Sequence, residues 1–128
     1  MNNEDRDTES TISPQMEDYL ERIYTLQLEK KVVRVKDISA LMQVRMPSVN
    51  NAIAMLKRQN LVTQEPYGHI EITAEGIELA EKIVNRHKVL TDFFISLGVS
   101  PDVAERDACA VEHIISEETF IKIQEQLR

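Results

Sequence analysis

Cys109, Glu112 and His113 stand at i, i+3 and i+4 in the segment ACAVEH. On a helix they would share one face and present a thiolate, a carboxylate and an imidazole to the same point. Asp18 and Glu21, three apart in MEDYLERIY, share a face in the same way. His87 falls in NRHKVL, on a stripe otherwise made of aliphatic residues. Three segments thus offer donor atoms of the kinds that hold a divalent transition metal between packed helices.

Each group also has a plainer reading. A histidine on an apolar face is commonly a core residue with a backbone partner, and a lone cysteine is commonly a small buried apolar side chain. Asp18 and Glu21 are also what a helix dipole favours in a first turn. The run Cys-x-x-Glu-His resists such an account, because a helix surface has no need of a carboxylate and an imidazole beside a thiol. A small metallohydrolase using His87, Glu112 and His113 is a remote alternative. It would require an open coordination position and a substrate pocket, and the chain carries neither an HExxH motif nor a phosphate-binding glycine loop.

The elements that must position these residues are marked by prolines and caps. Ser13-Pro14 and Ser100-Pro101 each place a hydroxyl before a proline at a first helical position. A first helix is expected from Pro14 to Glu29, with Met16, Leu20, Ile23, Tyr24 and Gln27 on one face. Thr73 is expected to cap a long helix from Ala74 to Leu97, stopped by Gly98, with Ala80, Ile83, Val84, Leu90 and Phe94 inward. A further helix from Pro101 to about Ile115 carries Val103, Ala110, Val111 and Ile114, and Ser116-Glu-Glu-Thr opens a last short one.

Between the first and the long helix lies the clearest tertiary pattern. Asp37 is expected to cap a short helix presenting Ile38, Leu41 and Met42 inward; a turn through Gln43 to Met46 follows. A second helix opens at Pro47 and turns Val49, Ile53 and Leu56 inward. Two short helices around a tight turn, with polar residues outside on the second, read as a helix-turn-helix. Leu61-Val-Thr-Gln and His69-Ile-Glu-Ile-Thr then read as strands around Glu65-Pro-Tyr-Gly68, a hairpin in the place of a wing.

The first turns of the second helix hold Pro47, Ser48, Asn50 and Asn51. These are small or polar side chains that can enter a major groove, where Asn pairs bidentately with adenine. Lys36, Arg45, Lys57 and Arg58 flank them as phosphate partners. The net charge of -7 speaks against nucleic acid only until its distribution is seen. From Lys31 to Arg58 six cations face Asp37 alone, whereas from Gly98 to Arg128 three cations face seven acids. One end suits phosphate and the other a cation.

With 42% hydrophobic residues, 5% aromatic and no Trp, the chain is expected to be mainly α, packed through aliphatic helix contacts. A winged helix-turn-helix over 13–74 is followed by a helical dimerisation and metal-binding segment over 75–128, after a disordered acidic tail over 1–12. Cys109 is the single cysteine, so no internal disulfide forms. No apolar run approaches the roughly 20 residues that span a bilayer, and MNNEDRDTES is unlike a signal peptide, so a cytoplasmic protein is expected.

At this point MEDYLERIY, the helix-turn-helix with MPSV, ITAEG, NRHKVL, ACAVEH and SEET together resemble the metal-dependent repressors of the diphtheria toxin repressor and manganese transport regulator type, the DtxR/MntR family. The resemblance runs from Met16 onward and is nearest the short MntR form without an SH3-like domain. It implies a homodimer on double-stranded operator DNA whose metal sets the spacing of two recognition helices. Asp18, Glu21, His87, Glu112 and His113 match ligand positions of the manganese branch. Cys109 instead matches the iron-responsive branch, where the manganese branch has glutamate, and Asp18 departs from that iron branch, which has methionine. The site is therefore a hybrid. Its thiolate is soft and its carboxylates hard, leaving Mn(II) and Fe(II) both open. Losing a glutamate at 109 puts a two-manganese arrangement in doubt, and Thr91 and Glu105 replace two residues of the iron branch's second site. The expectation is a metal-activated transcription regulator rather than an enzyme, with a metal-independent winged-helix regulator as the alternative.

Overall fold

The computed structural model describes residues 12–66 and 68–128; the acidic tail expected over 1–12 lies, but for Ile12, outside the described residues. The element order is α1 (Pro14–Glu29), β1 (Val33–Arg34), α2 (Val35–Met42), α3 (Met46–Arg58), β2 (Val62–Gln64), β3 (His69–Ile72), α4 (Ala74–Ser96), α5 (Pro101–Val111) and α6 (Glu117–Gln126). None of these helices is long and apolar enough to cross a membrane. The chain divides into two compact units, one over Gln15–Glu81 and one built mainly from Lys82–Arg128, with the boundary inside α4.

In the N-terminal unit α1 has the expected bounds and buries Met16, Tyr19, Leu20, Ile23 and Leu26. Its Gln27 Oε1 accepts the Ile72 backbone N–H at 2.9 Å, fixing the helix to β3. The α2–α3 pair is the expected helix-turn-helix. Gln43 ends α2 in the left-handed region at φ 55°, and its N–H reaches the Ser39 carbonyl. Val49, Ala52, Ile53 and Leu56 bury one stripe of α3. Leu41 departs from expectation: it is 45% exposed, because the i+3 position from Ile38 lies on the edge of so short a helix.

The wing is present, and its strands form part of a three-stranded antiparallel sheet in the order β1-β3-β2. Val62, Thr63 and Gln64 pair with Ile72, Glu71 and Ile70, while Val33 and Arg34 pair with Ile70 and His69. The turn closes through Glu65 N–H to the His69 carbonyl at 2.7 Å and Gly68 N–H to the Glu65 carbonyl at 2.9 Å, with Gly68 at φ +93°. That positive φ is available to glycine at no steric cost.

Asp37 does cap α2, but from inside it. The helix starts at Val35, two residues before Asp37, and Arg34 is the capping position. Asp37 Oδ2 accepts the Arg34 backbone N–H at 2.9 Å and Oδ1 accepts from Lys30 Nζ at 3.0 Å, the backward half of a capping box. These contacts, the Arg34 N–H foremost, hold the Asp37 carboxyl below its ordinary value of 3.8. A depressed carboxyl adds stability at pH above its unfolded-state value and loses it as pH falls through the folded-state value. Asp37→Asn is therefore expected to cost about 1 kcal/mol at pH 7, and to cost nothing at pH values low enough to protonate Asp37. Urea melts at both pH values measure this; an equal deficit at both would remove the charge from the account.

In the C-terminal unit Leu90 of α4, Ala108 of α5 and Phe120 of α6 form the core, with Val89, Phe94, Val111, Ile115 and Ile123 packed around them. Thr73 opens α4 as expected, its Oγ1 accepting the Gly76 N–H at 3.0 Å. Gly98 at φ +99° stops it, with the Val99 N–H returning to the Phe94 carbonyl at 3.1 Å. Ser116 Oγ accepts the Thr119 N–H at 3.2 Å at the start of α6. Two expectations need correction. Helix α5 ends at Val111 rather than near Ile115, leaving residues 112–115 as the turn into α6. Val84 is 39% exposed instead of inward; Val103 and Ile114 are 39% and 73% exposed, and the buried residues of α5 are Ala104 and Ala108.

Candidate metal centre and nucleic-acid interface

In the C-terminal unit Glu112, at the end of α5, meets two of the other predicted ligand residues, His87 and His113. Glu112 follows the last residue of α5 and keeps helical dihedrals, φ -57° and ψ -28°, so Cys109 and Glu112 remain on one face although His113 already belongs to the turn. Glu112 is fully buried. A buried carboxyl group needs hydrogen-bond partners, and Glu112 finds them unevenly. Its Oε2 lies 2.8 Å from Nδ1 of His87, reaching in from α4. Its Oε1 lies 3.2 Å from Nε2 of His113, yet accepts no hydrogen bond among the described residues.

His87 is drawn the other way by Glu105, whose Oε1 stands 3.4 Å from Nε2. Cys109 is half-buried on α5, one turn before Glu112. A carboxylate between two imidazoles, with one oxygen left without a donor, fits a cation better than it fits a closed hydrogen-bond network. The hard oxygen and borderline nitrogen donors suit a divalent first-row ion.

Asp18 and Glu21 both stand on α1 of the N-terminal unit, in the half-buried range. Asp18 Oδ1 lies 3.5 Å from Nε of Arg22 and accepts no hydrogen bond among the described residues.

The groups expected to meet DNA belong to the same N-terminal unit. Pro47, Ser48, Asn50, Asn51, Lys57 and Arg58 are all exposed on α3, which opens after Arg45 with Pro47 in its first turn, and Lys36 is exposed on α2. The stripe Val49-Ala52-Ile53-Leu56 faces inward and leaves the two asparagines and Ser48 outward, the placement a recognition helix requires.

Arg86 escaped the sequence reading. It lies one residue before His87, and its Nη2 pairs with Glu117 at 2.6 Å while Nη1 approaches the Glu112 carbonyl at 3.4 Å. Its guanidinium also lies 5.6 Å from the centroid of the Phe120 ring. Only its adjacency to His87 hinted at such a role; its acidic partner is 31 residues away.

The family described as iron dependent repressor matches the sequence twice: its N-terminal DNA binding domain over residues 11–70 and its metal binding and dimerisation domain over residues 73–128. The chain belongs to this family, the DtxR/MntR regulators. It is a metal-dependent transcriptional regulator and not an enzyme, with a DNA-binding domain and a domain that binds metal and dimerises. The transcriptional regulator MntR of Shouchella clausii is 36% identical over 87% of this chain and 78% of its own length. Among solved structures, IdeR of T. acidophilum superposes with a TM-score of 0.72 at 26% identity over 87% of this chain and 53% of its own. A manganese-dependent transcriptional repressor in complex with manganese superposes with a TM-score of 0.79 at 28% identity, over 88% and 52%. The chain thus spans about half the length of those two solved relatives.

Proposed function

We propose that this regulator is a cytoplasmic repressor of metal-homeostasis genes, activated by Mn(II) or Fe(II) held by His87, Cys109, Glu112 and His113 together with Asp18 and Glu21. The observation that carries the reading is Glu112, fully buried between two histidines with Oε1 short of a donor. A bound divalent ion supplies the positive charge that these carboxylates lack. Without it, acidic side chains on α1 and at the end of α5 repel any arrangement that brings them together.

The rest of the switch lies with the protein's own residues. Asn50, Asn51, Ser48 and Pro47 read bases, and Lys36, Arg45, Lys57 and Arg58 hold phosphates. In a homodimer two such helices meet half-sites a fixed number of helical turns apart. Apolar side chains exposed in one copy, Val103 and Ile114 among them, suit a second copy better than water. Linkage makes the coupling reciprocal, so operator DNA tightens metal binding by the factor by which metal tightens DNA binding.

Fluorescence anisotropy of a labelled operator, titrated anaerobically with and without each metal, tests this. The expected result is a tightening of about 10- to 100-fold with Mn(II) or Fe(II). Cys109→Glu replaces a soft donor by a hard one and is expected to shift the preference toward Mn(II). Unchanged DNA affinity with every metal would favour the metal-independent alternative. An unshifted preference in Cys109→Glu would remove Cys109 from the ligand set.

A further inference from the structure

We infer that Arg86 is a positioning residue for the metal centre, holding the backbone of Glu112 while the neighbouring His87 holds its carboxylate. The inference rests on the proposed metal site and adds to it a residue that donates no ligand.

The geometry comes from two consecutive residues of α4 gripping Glu112, the residue that follows α5. His87 Nδ1 meets Glu112 Oε2 at 2.8 Å, and Arg86 Nη1 approaches the Glu112 carbonyl oxygen at 3.4 Å. Glu112 sits at the C-terminal cap of α5. The last carbonyls of a helix have no intrahelical donor and carry the negative end of its dipole. A guanidinium there satisfies an orphan acceptor and favours the local field at once.

Arg86 is itself held from the far side. Glu117 takes Nη2 at 2.6 Å, and the Phe120 ring lies 5.6 Å from the guanidinium carbon. Phe120 is buried in the core with Leu90 and Ala108. The Arg86 side chain is mostly buried, so the planar fork is kept in one orientation and its hydrogen bonds lose little to solvent. The turn that carries Glu112 and His113 is thereby tied to α4 and to the start of α6. Free to move, that turn would have to be ordered at the expense of metal affinity; fixed by Arg86, it is ordered beforehand.

The test compares wild type with Arg86→Gln, Arg86→Lys and Glu117→Gln, reading Mn(II) affinity by anaerobic competition with a chelating dye, and the Co(II) absorption spectrum. Metal-free melting temperature is recorded alongside. Loss of a supporting partner of this kind lowers metal affinity about tenfold or more. That loss is expected for folded Arg86→Gln, with a smaller one in Glu117→Gln, partial recovery in Arg86→Lys, and an altered Co(II) spectrum that a purely structural role would not produce. If Arg86→Gln does not fold, Glu117→Gln and Arg86→Lys carry the comparison. Wild-type Mn(II) affinity and Co(II) spectrum in all folded variants overturn the role of Arg86 and leave the site standing. Failure of wild type to bind either metal overturns the proposed site and this inference with it.

Discussion

Glu112→Gln is expected to lose Mn(II) affinity by at least about a hundredfold, beyond the upper range for a supporting partner, while its metal-free form melts no lower than wild type. The two halves come from one fact. Glu112 is fully buried, and its Oε1 has no hydrogen-bond donor among the described residues. Burying a carboxylate without full compensation costs free energy, and an amide of nearly the same volume avoids much of that cost. The amide can still meet His87 at the position of Oε2, so packing against α4 survives. What it lacks is the charge that a cation needs. Calorimetric metal titration and thermal melts of the metal-free protein read both quantities. A variant that melts well below wild type would show that Glu112 serves the fold, and one that retains Mn(II) would remove it from the ligand set.

Gly76→Ala should destabilise the N-terminal unit by about 3 kcal/mol, the upper part of the range for overpacking. In an exposed helix the same change stabilises by up to about 1 kcal/mol. Here a Cβ would press into the Leu61 carbonyl oxygen and lie 2.6 Å from Cγ1 of Ile72. The carbonyl has little freedom to retreat, since it accepts both the Thr73 N–H at 2.9 Å and the Thr73 hydroxyl at 3.1 Å. The missing side chain is what lets the start of α4 lie against the end of the wing. Urea denaturation followed by far-UV circular dichroism measures the effect. A gain in stability would show that the helix start can shift without loss of these bonds.

Much of this was legible in the residues. Pro14, Pro101, Thr73 and Gly98 marked helix ends, and the ends fall at or close to those residues, although the Ser100 hydroxyl makes no capping hydrogen bond at the start of α5. The stripe Val49-Ile53-Leu56 gave the inward face of α3, and with it the outward one. Features with a distant cause were not legible. Strand β1 is two residues long and exists through pairing with β3, Val33 meeting Ile70 37 positions away. Asp37 lies within α2 because β1 delivers Arg34 as the cap, a shift no local pattern records. Val103 and Ile114 are apolar and exposed, which spacing along a helix does not reveal. At the centre itself, Cys-x-x-Glu-His announced the donor types, whereas Arg86 resembles any other cation on a charged helix until Glu117 and Phe120 are folded against it.

The boundary between the two units falls between Glu81 and Lys82, in the interior of a helix of 23 residues. Such a helix is about 35 Å long, and at the boundary it offers no loop for a protease to enter. Limited digestion should therefore spare this boundary. Anyone expressing the N-terminal unit alone would do better to retain α4 through Gly98, where the chain has a natural stop, than to sever the helix at the boundary and leave four carbonyls without donors.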